Sequence, residues 1–302
     1  MQSIKNQVKK LYRMYNRAIL LYRFRKKVHN LNAITDSYGL NKEPREKEII
    51  VSLTSYPARL NNLHYTVKSI LCQSLRPDKL ILYLGDDCIY ENLPDSLREL
   101  ERYGLQIFMK PGNLKPHKKY YYAIKENPDS LIITIDDDCI YSLKMIQELY
   151  STYQKFPNCV VALRGHRILF DEVGKIKNYM DWEWEYQKEN CPSIQIIATG
   201  GAGALYPPGL MEEEYLFQTE LIQTLSPTAD DLWLKTMQVL KGTKVVLCDW
   251  KIEKERINFD VLLNEQTGSL QAENVHQNMN NVYMKRLMEH FKLTKDNFID
   301  EI

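Results

Sequence analysis

Three consecutive acids, Asp136, Asp137 and Asp138, follow the apolar run Ile132-Ile133-Thr134-Ile135. Adjacent carboxylates repel one another and cost free energy unless water, hydrogen-bond donors or a metal compensates. The β-branched residues before them have the composition of a buried strand, and open α/β sheets bind ligands at the carboxyl ends of strands. Carboxylate oxygens suit hard cations such as Mg²⁺ or Mn²⁺, which commonly join one or two protein carboxylates to substrate phosphates. The plainer alternative is a solvated acidic turn. Two further acid pairs stand out. Asp86-Asp87 ends the run Leu80-Ile81-Leu82-Tyr83-Leu84, and Asp230-Asp231 opens a helical stretch after Thr228-Ala229. Thr228 or Asp230 can cap that helix, and acids are favoured in a first turn. Capping explains one aspartate better than two.

Other clusters have chemical uses beside bland ones. Lys115-Pro116-His117-Lys118-Lys119-Tyr120 can approach phosphate from a helix start, with Lys118 or Lys119 the candidates; three lysines also suit a solvated helix face. Arg164-Gly165-His166-Arg167 reads slightly better as a surface turn than as a ligand contact. Gly200 and Gly201 permit close backbone approach to a ligand or simply make a tight turn, without a G-x-G-x-x-G or G-K-[ST] pattern. Trp182 and Trp184 offer aromatic faces to a sugar or else close the core. His276 is a candidate metal ligand, although a lone histidine in a polar context more often has no such role.

These residues need elements to hold them. Ile49-Ile50-Val51-Ser52-Leu53, Leu80–Leu84, Leu105–Phe108 and the strand before the triple acid alternate with helical stretches containing Leu63, Val67, Ile70 and Leu71, then Asp95–Tyr103 and His117–Glu126. That alternation predicts a parallel, doubly wound α/β sheet. A helix over Leu143–Phe156 and strands at Cys159–Leu163 and Ile194–Ala198 follow, with no internal repeat. The globule starts near residue 48 and divides into halves over about 48–140 and 141–302. Residues 32–47, with Gly39 and Pro44, read as a linker. Residues 1–31 read as a basic amphipathic helix that lies on a membrane, because its apolar run is far shorter than the roughly 20 residues needed to span one; packing on its own domain is the alternative.

Composition narrows the classes further. The 302 residues suffice for one large catalytic domain or two small ones, and 40 Lys plus Arg nearly balance 39 Asp plus Glu, which argues against a nucleic-acid binder. Six dispersed cysteines without a C-x-x-C pair disfavour a zinc site or disulfide framework and suit a reducing cytoplasm.

Over residues 48–249 the chain resembles a nucleotide-sugar-dependent glycosyltransferase of the GT-A fold, family-two-like. The resemblance rests on Val51-Ser52-Leu53-Thr54-Ser55-Tyr56-Pro57-Ala58-Arg59, Asp86-Asp87, the triple acid, the Gly-rich loop before Tyr206-Pro207-Pro208, and Ala229-Asp230-Asp231. It implies a mixed, mostly parallel Rossmann-like sheet flanked by helices. It also implies that the triple acid is the family's D-x-D element, with Asp138 on the divalent metal, Asp136 on the metal or ribose, and Asp137 near the donor or orienting the turn. Thr54, Tyr56, Arg59, Asp86 and Asp87 would contact the nucleotide, and His276 would be an additional metal ligand. Asp231 matches the catalytic base of inverting members, and Asp230 stands where glutamate is more usual. The expected activity is metal-dependent, inverting transfer from a nucleotide sugar to a glycan or lipid-linked acceptor, in cell-surface polysaccharide or lipopolysaccharide synthesis at the inner face of the membrane. The rivals are a sugar-phosphate nucleotidyltransferase, which would need a glycine- and arginine-rich loop that residues 54–59 do not supply, and a membrane-recruited nucleotide-binding protein with a degenerate site.

Overall fold

The main strands are apolar on both faces, and the sheet they form is covered on both sides. Val51, Leu53, Leu80, Leu82, Leu131 and Ile133 point into one core, whereas Ile50, Ile81, Tyr83 and Ile132 point into the opposite one. The computed structural model describes residues 2–188, 190–259, 262, 274 and 277–300. In chain order it contains α1 (Gln2–Ala33), β1 (Ile49–Thr54), α2 (Leu60–Leu71), β2 (Lys79–Leu84), α3 (Asp95–Arg98), β3 (Leu105–Met109), α4 (Lys118–Glu126) and β4 (Leu131–Thr134). Next come β5 (Cys139–Ile140), α5 (Met145–Lys155), β6 (Cys159–Ala162), β7 (Gly165–Arg167), β8 (Ile196–Ala198) and β9 (Ala204–Tyr206). Then follow α6 (Glu213–Leu216), α7 (Thr219–Leu225), α8 (Asp230–Lys241), β10 (Lys244–Leu247), α9 (Trp250–Glu253), β11 (Ile257–Asn258) and α10 (Met279–His290).

The seven-stranded sheet has the order β10-β6-β9-β4-β1-β2-β3, and only β9 runs against its neighbours. That reversal builds the site. Ala204, the first residue of β9, pairs with Thr134, the last of β4, so the glycines before β9 fall beside the acids after β4. The sequence suggested a loop through 204–206; three residues are too short to show strand periodicity. Two small sheets extend the frame: β7 pairs with β8, and β11 pairs with β5 so that Asn258 lies opposite Cys139.

Residues 34–47 join α1 to β1 as a strap docked on the domain. Gly39 N–H donates to Leu71 O at 3.0 Å, Asn41 N–H donates to Pro77 O at 2.8 Å, and the buried Tyr38 packs edge-on against Tyr103. Among the described residues no helix is long and apolar enough to cross a membrane.

Candidate active site

The two acids that open α8 are not caps. The N-cap position is Ala229, with no side-chain cap hydrogen bond, and Asp230 and Asp231 occupy the first turn. Thr228 Oγ1 instead meets Asn274 Oδ1 at 2.6 Å and Tyr283 Oη at 3.1 Å. Lys119 lies between Asp230 and the triple acid. The Lys119 ammonium lies 2.6 Å from Asp136 Oδ1 and 3.0 Å from Asp230 Oδ2, with only 4 % of its side chain exposed. A cation in the first turn of α4 opposes the helix dipole, and the surrounding acids offset that cost. Beside it, Asp231 Oδ1 accepts from Gly200 N–H at 3.0 Å.

Both glycines of the 200–201 turn are required by close approach. A β-carbon on Gly201 would stand 2.7 Å from Asp136 Oδ2, and one on Gly200 would stand 3.1 Å from Asp231 Oδ1 and 3.3 Å from Lys119 Nζ. The turn thus inserts bare backbone between the triple acid and the Asp230-Asp231 pair.

This crowding separates the acids electrostatically. Asp231 is partly exposed, yet burial first and Asp230 second push its carboxyl up to about 7, against the lowering pull of Lys119. Burial acts upward on Asp136 as well, but Lys119, its hydrogen bond, Arg59 and Arg164 outweigh it and hold the carboxyl below the usual range. Burial opposes charge on Lys119, and Asp136, Asp230 and Asp231 more than compensate, so the amine is held well above its ordinary pKa. Beneath the pair, burial lowers His117 to about 4. The neutral ring donates from Nε2 to Ser226 O at 2.7 Å and lies 3.1 Å from the Tyr120 hydroxyl through Nδ1.

The other members of the triple acid have separate partners. Asp137 is buried, accepting from Ser55 Oγ at 2.5 Å and Arg59 Nη1 at 2.7 Å. It ties the turn to the end of β1. Asp138 accepts from Asn258 Nδ2 at 3.1 Å and lies 3.4 Å from Arg59 Nη1, while its carbonyl accepts from Phe259 N–H at 2.9 Å. The segment from Glu253 to Phe259, which the sequence did not single out, continues this support: Arg256 is bidentate on Glu253 and donates to Cys139 Sγ at 3.0 Å. Its pairing partners are more than a hundred residues away, and nothing local marks them.

The donor set fits a hard cation. Asp136 and Asp138 offer carboxylate oxygens from one short segment. Among the described residues no three His, Cys, Asp or Glu side chains converge into a ready-made cage. Two carboxylates with the remaining positions left to water and phosphate are a common arrangement for Mg²⁺. His276 lies outside the described residues.

The remaining candidates border this centre. Thr54 donates to Tyr83 O at 2.7 Å, and Arg59 sits over the Tyr56 ring at 5.5 Å. Asp86 accepts from Gly112 N–H at 2.6 Å and Asp87 from Asn113 Nδ2 at 3.1 Å; Lys118 donates to Asn113 Oδ1 at 3.1 Å. These three fix the loop between β3 and α4, and both aspartates remain exposed. Lys118 and Lys119 are buried, contrary to a solvated helix face. Trp182 is also buried and donates to Lys177 O at 3.0 Å, so it closes the core and offers no open face to an acceptor. Trp184 is 39 % exposed and stacks on His166 at 4.6 Å. Tyr179, which the sequence did not flag, lies edge-on to Trp184, and its phenol is pushed up by burial and by Asp231. Arg164 reaches Thr199 Oγ1 at 2.8 Å and would lie 3.5 Å from a β-carbon on Gly201, which brings it to the site edge and not to a surface turn.

No curated protein matches the chain. Among solved structures, S. aureus TarS is similar with a TM-score of 0.45 and 11 % identity over 67 % of this chain; the chain spans 35 % of that protein's length. An apo UDP-glucose pyrophosphorylase is similar with a TM-score of 0.40 and 13 % identity, covering 82 % of this chain and 98 % of that one. Neither likeness bears on the chemistry. Residues 49–206, more than half of the 302, match glycosyl transferase family 2. That span runs from β1 through the triple acid and the glycine turn to the end of β9, and the chain therefore belongs to glycosyl transferase family 2, with its GT-A architecture.

Proposed function

We propose that the protein transfers a hexosyl or related glycosyl group from a nucleotide sugar to a hydroxyl of a glycan or lipid-linked acceptor, with inversion, in the synthesis of a cell-surface polysaccharide or lipopolysaccharide. The observation that carries the reading is Asp231: a carboxyl raised to about 7, partly exposed and oriented by Gly200 N–H. A general base works best when its pKa lies near the operating pH. The acceptor oxygen attacks the anomeric carbon, the bond from that carbon to the phosphate oxygen breaks, Asp231 takes the hydroxyl proton, and the nucleoside diphosphate departs. Asp136 and Asp138 would hold a divalent cation, Mn²⁺ or Mg²⁺, which when bound supplies positive charge to the departing diphosphate. Tyr56, Arg59, Asp86 and Asp87 form the donor side; Gly200, Gly201, Trp184 and Tyr179 form the acceptor side. The protein works in the cytoplasm, peripherally on the inner face of the membrane through residues 1–31.

The test is release of UDP, GDP or CMP from a panel of nucleotide sugars with Mn²⁺ added, for wild type, Asp138→Ala and Asp231→Asn, followed by NMR of the product's anomeric configuration. Metal-dependent release lost in both variants, with inverted product, is the expected result. Retained configuration would remove Asp231 as base, and release indifferent to both substitutions would overturn the site.

A further inference from the structure

The two faces of α1 differ. One lies on the domain: buried Phe24 meets Tyr65 edge-on at 5.3 Å and Phe259 at 5.9 Å, and Leu20, Leu21, Val28 and buried Leu31 join the same core. From that side Arg17 donates to Leu262 O at 3.2 Å, Arg23 to Lys254 O at 2.9 Å, and Lys27 to Glu255 O. The other face carries Met14, Tyr15, Ile19 and Tyr22, which are 41–68 % exposed. At about 100° per residue these four fall within one arc, and exposed Arg25 and Lys26 lie in it too. Contiguous large apolar side chains on a surface mark an interaction site.

Charge selects the occupant. Nine lysines and arginines, Lys5 to Lys27, precede the first acid at Asp36, so a second copy of this helix would bring like charge against like. We infer that α1 seats the protein on an anionic lipid bilayer, with Met14, Tyr15, Ile19 and Tyr22 at the boundary between headgroups and acyl chains and the exposed Arg25 and Lys26 against lipid phosphates. The opposite face fixes what the bilayer is near. The 254–262 segment gripped by Arg17, Arg23 and Lys27 also delivers Asn258 and Phe259 to Asp138. Only the thickness of α1, about 10–12 Å, separates that segment from the lipid-facing side. An acceptor carried on a lipid suits this placement; that clause rests on the glycosyl-transfer reading, whereas the docking does not.

The test is co-sedimentation of the full chain with vesicles of phosphatidylcholine alone and of phosphatidylcholine mixed with phosphatidylglycerol, for wild type and the double variant Tyr15→Asp, Tyr22→Asp. The expected result is wild-type binding to the anionic vesicles only, weakened by salt, and about tenfold lower partition for the variant. Melting temperature and nucleotide binding of the variant should be unchanged, since both tyrosines are exposed on the face of α1 turned away from the domain. Wild type that ignores anionic vesicles, a variant that binds them equally, or a wild-type dimer in lipid-free ultracentrifugation that the variant loses would each overturn the inference. Nucleotide release measured in lipid-free buffer separates failure of docking from failure of the catalytic reading.

Discussion

Replacing Lys119 with Met removes the cation that holds the centre together while keeping much of the side-chain volume. The ammonium lies 2.6 Å from Asp136 and 3.0 Å from Asp230. At 3.0 Å a unit charge pair is worth about 5 kcal/mol at an effective dielectric of about 20, and desolvation of the ammonium returns part of that. Breaking a buried pair by removing one partner costs about 3–5 kcal/mol. Asp136 is 38 % exposed, so water screens its share, and a loss of about 3 kcal/mol is expected. At about 2–4 °C per kcal/mol the melting temperature should fall by about 6–12 °C at pH 8. The sign with pH follows from linkage. Asp136 has its folded pKa lowered chiefly by Lys119, so its contribution is present above the unfolded carboxylate value of about 3.9 and fades as pH falls below it. Without Lys119 the clustered acids take up protons earlier, and the deficit of the variant should shrink steadily from pH 8 toward pH 4. Thermal melts followed by circular dichroism across that range decide the matter. A Lys119→Met protein melting like wild type at pH 8, or a deficit independent of pH, would refute the reasoning.

Asp231→Asn should lower turnover by about 10²–10⁴-fold while raising the melting temperature at pH 8 and not at pH 4. The folded pKa is raised to about 7, so wild type loses stability as pH climbs from about 4 through that value, and melts at both pH values check it. Gly201→Ala places a methyl 2.7 Å from Asp136 Oδ2; nucleotide release should fall by about tenfold or more, with about 1–3 kcal/mol of stability lost, and unchanged kinetics would show that the turn yields freely. Gly104→Ala tests the strap: at a φ of +109° with its β-carbon 2.5 Å from Leu40 Cδ1, it should cost about 1–3 kcal/mol in urea unfolding without altering KM for the donor.

The long-strand part of the fold was legible because β2 and β4 are largely apolar runs, β1 is one broken by the buried Ser52, and each ends in a change of chemistry. The triple acid and the Asp230-Asp231 pair were visible for the same reason. What composition could not convey was which face of a helix turns inward. Lys118 and Lys119 look alike in the sequence, yet one bonds Asn113 and the other is enclosed by aspartates. The docking of the segment between α1 and β1 carried no signal, because its attachment is largely through backbone groups such as Gly39 N–H, which no composition reveals. Asn258 had no signal at all, since its meeting with Asp138 spans 120 residues and arises from a two-residue strand.

Two aspartates, each next to another acid and both pushed upward by burial, have been driven to opposite states by one lysine and one neighbour. Environments that push paired titratable groups apart are how a fold assigns one acid to hold charge and the other to exchange a proton. Asp136 lies in direct contact with Lys119 and stays ionised; Asp231 faces Asp230, receives Lys119 only as a more distant influence, and titrates near 7. The split therefore depends on Lys119 standing closer to Asp136 than to Asp231, and the glycine turn keeps it so, because bulk at Gly200 would press on both Lys119 and Asp231. Removing the lysine should raise both carboxyls, Asp136 by more because it loses the nearer charge, and so narrow the gap. Carboxyl-carbon NMR titration of wild type and Lys119→Met would measure that gap directly. Equal upward shifts would mean that burial alone, and not the placement of Lys119, sets the two apart.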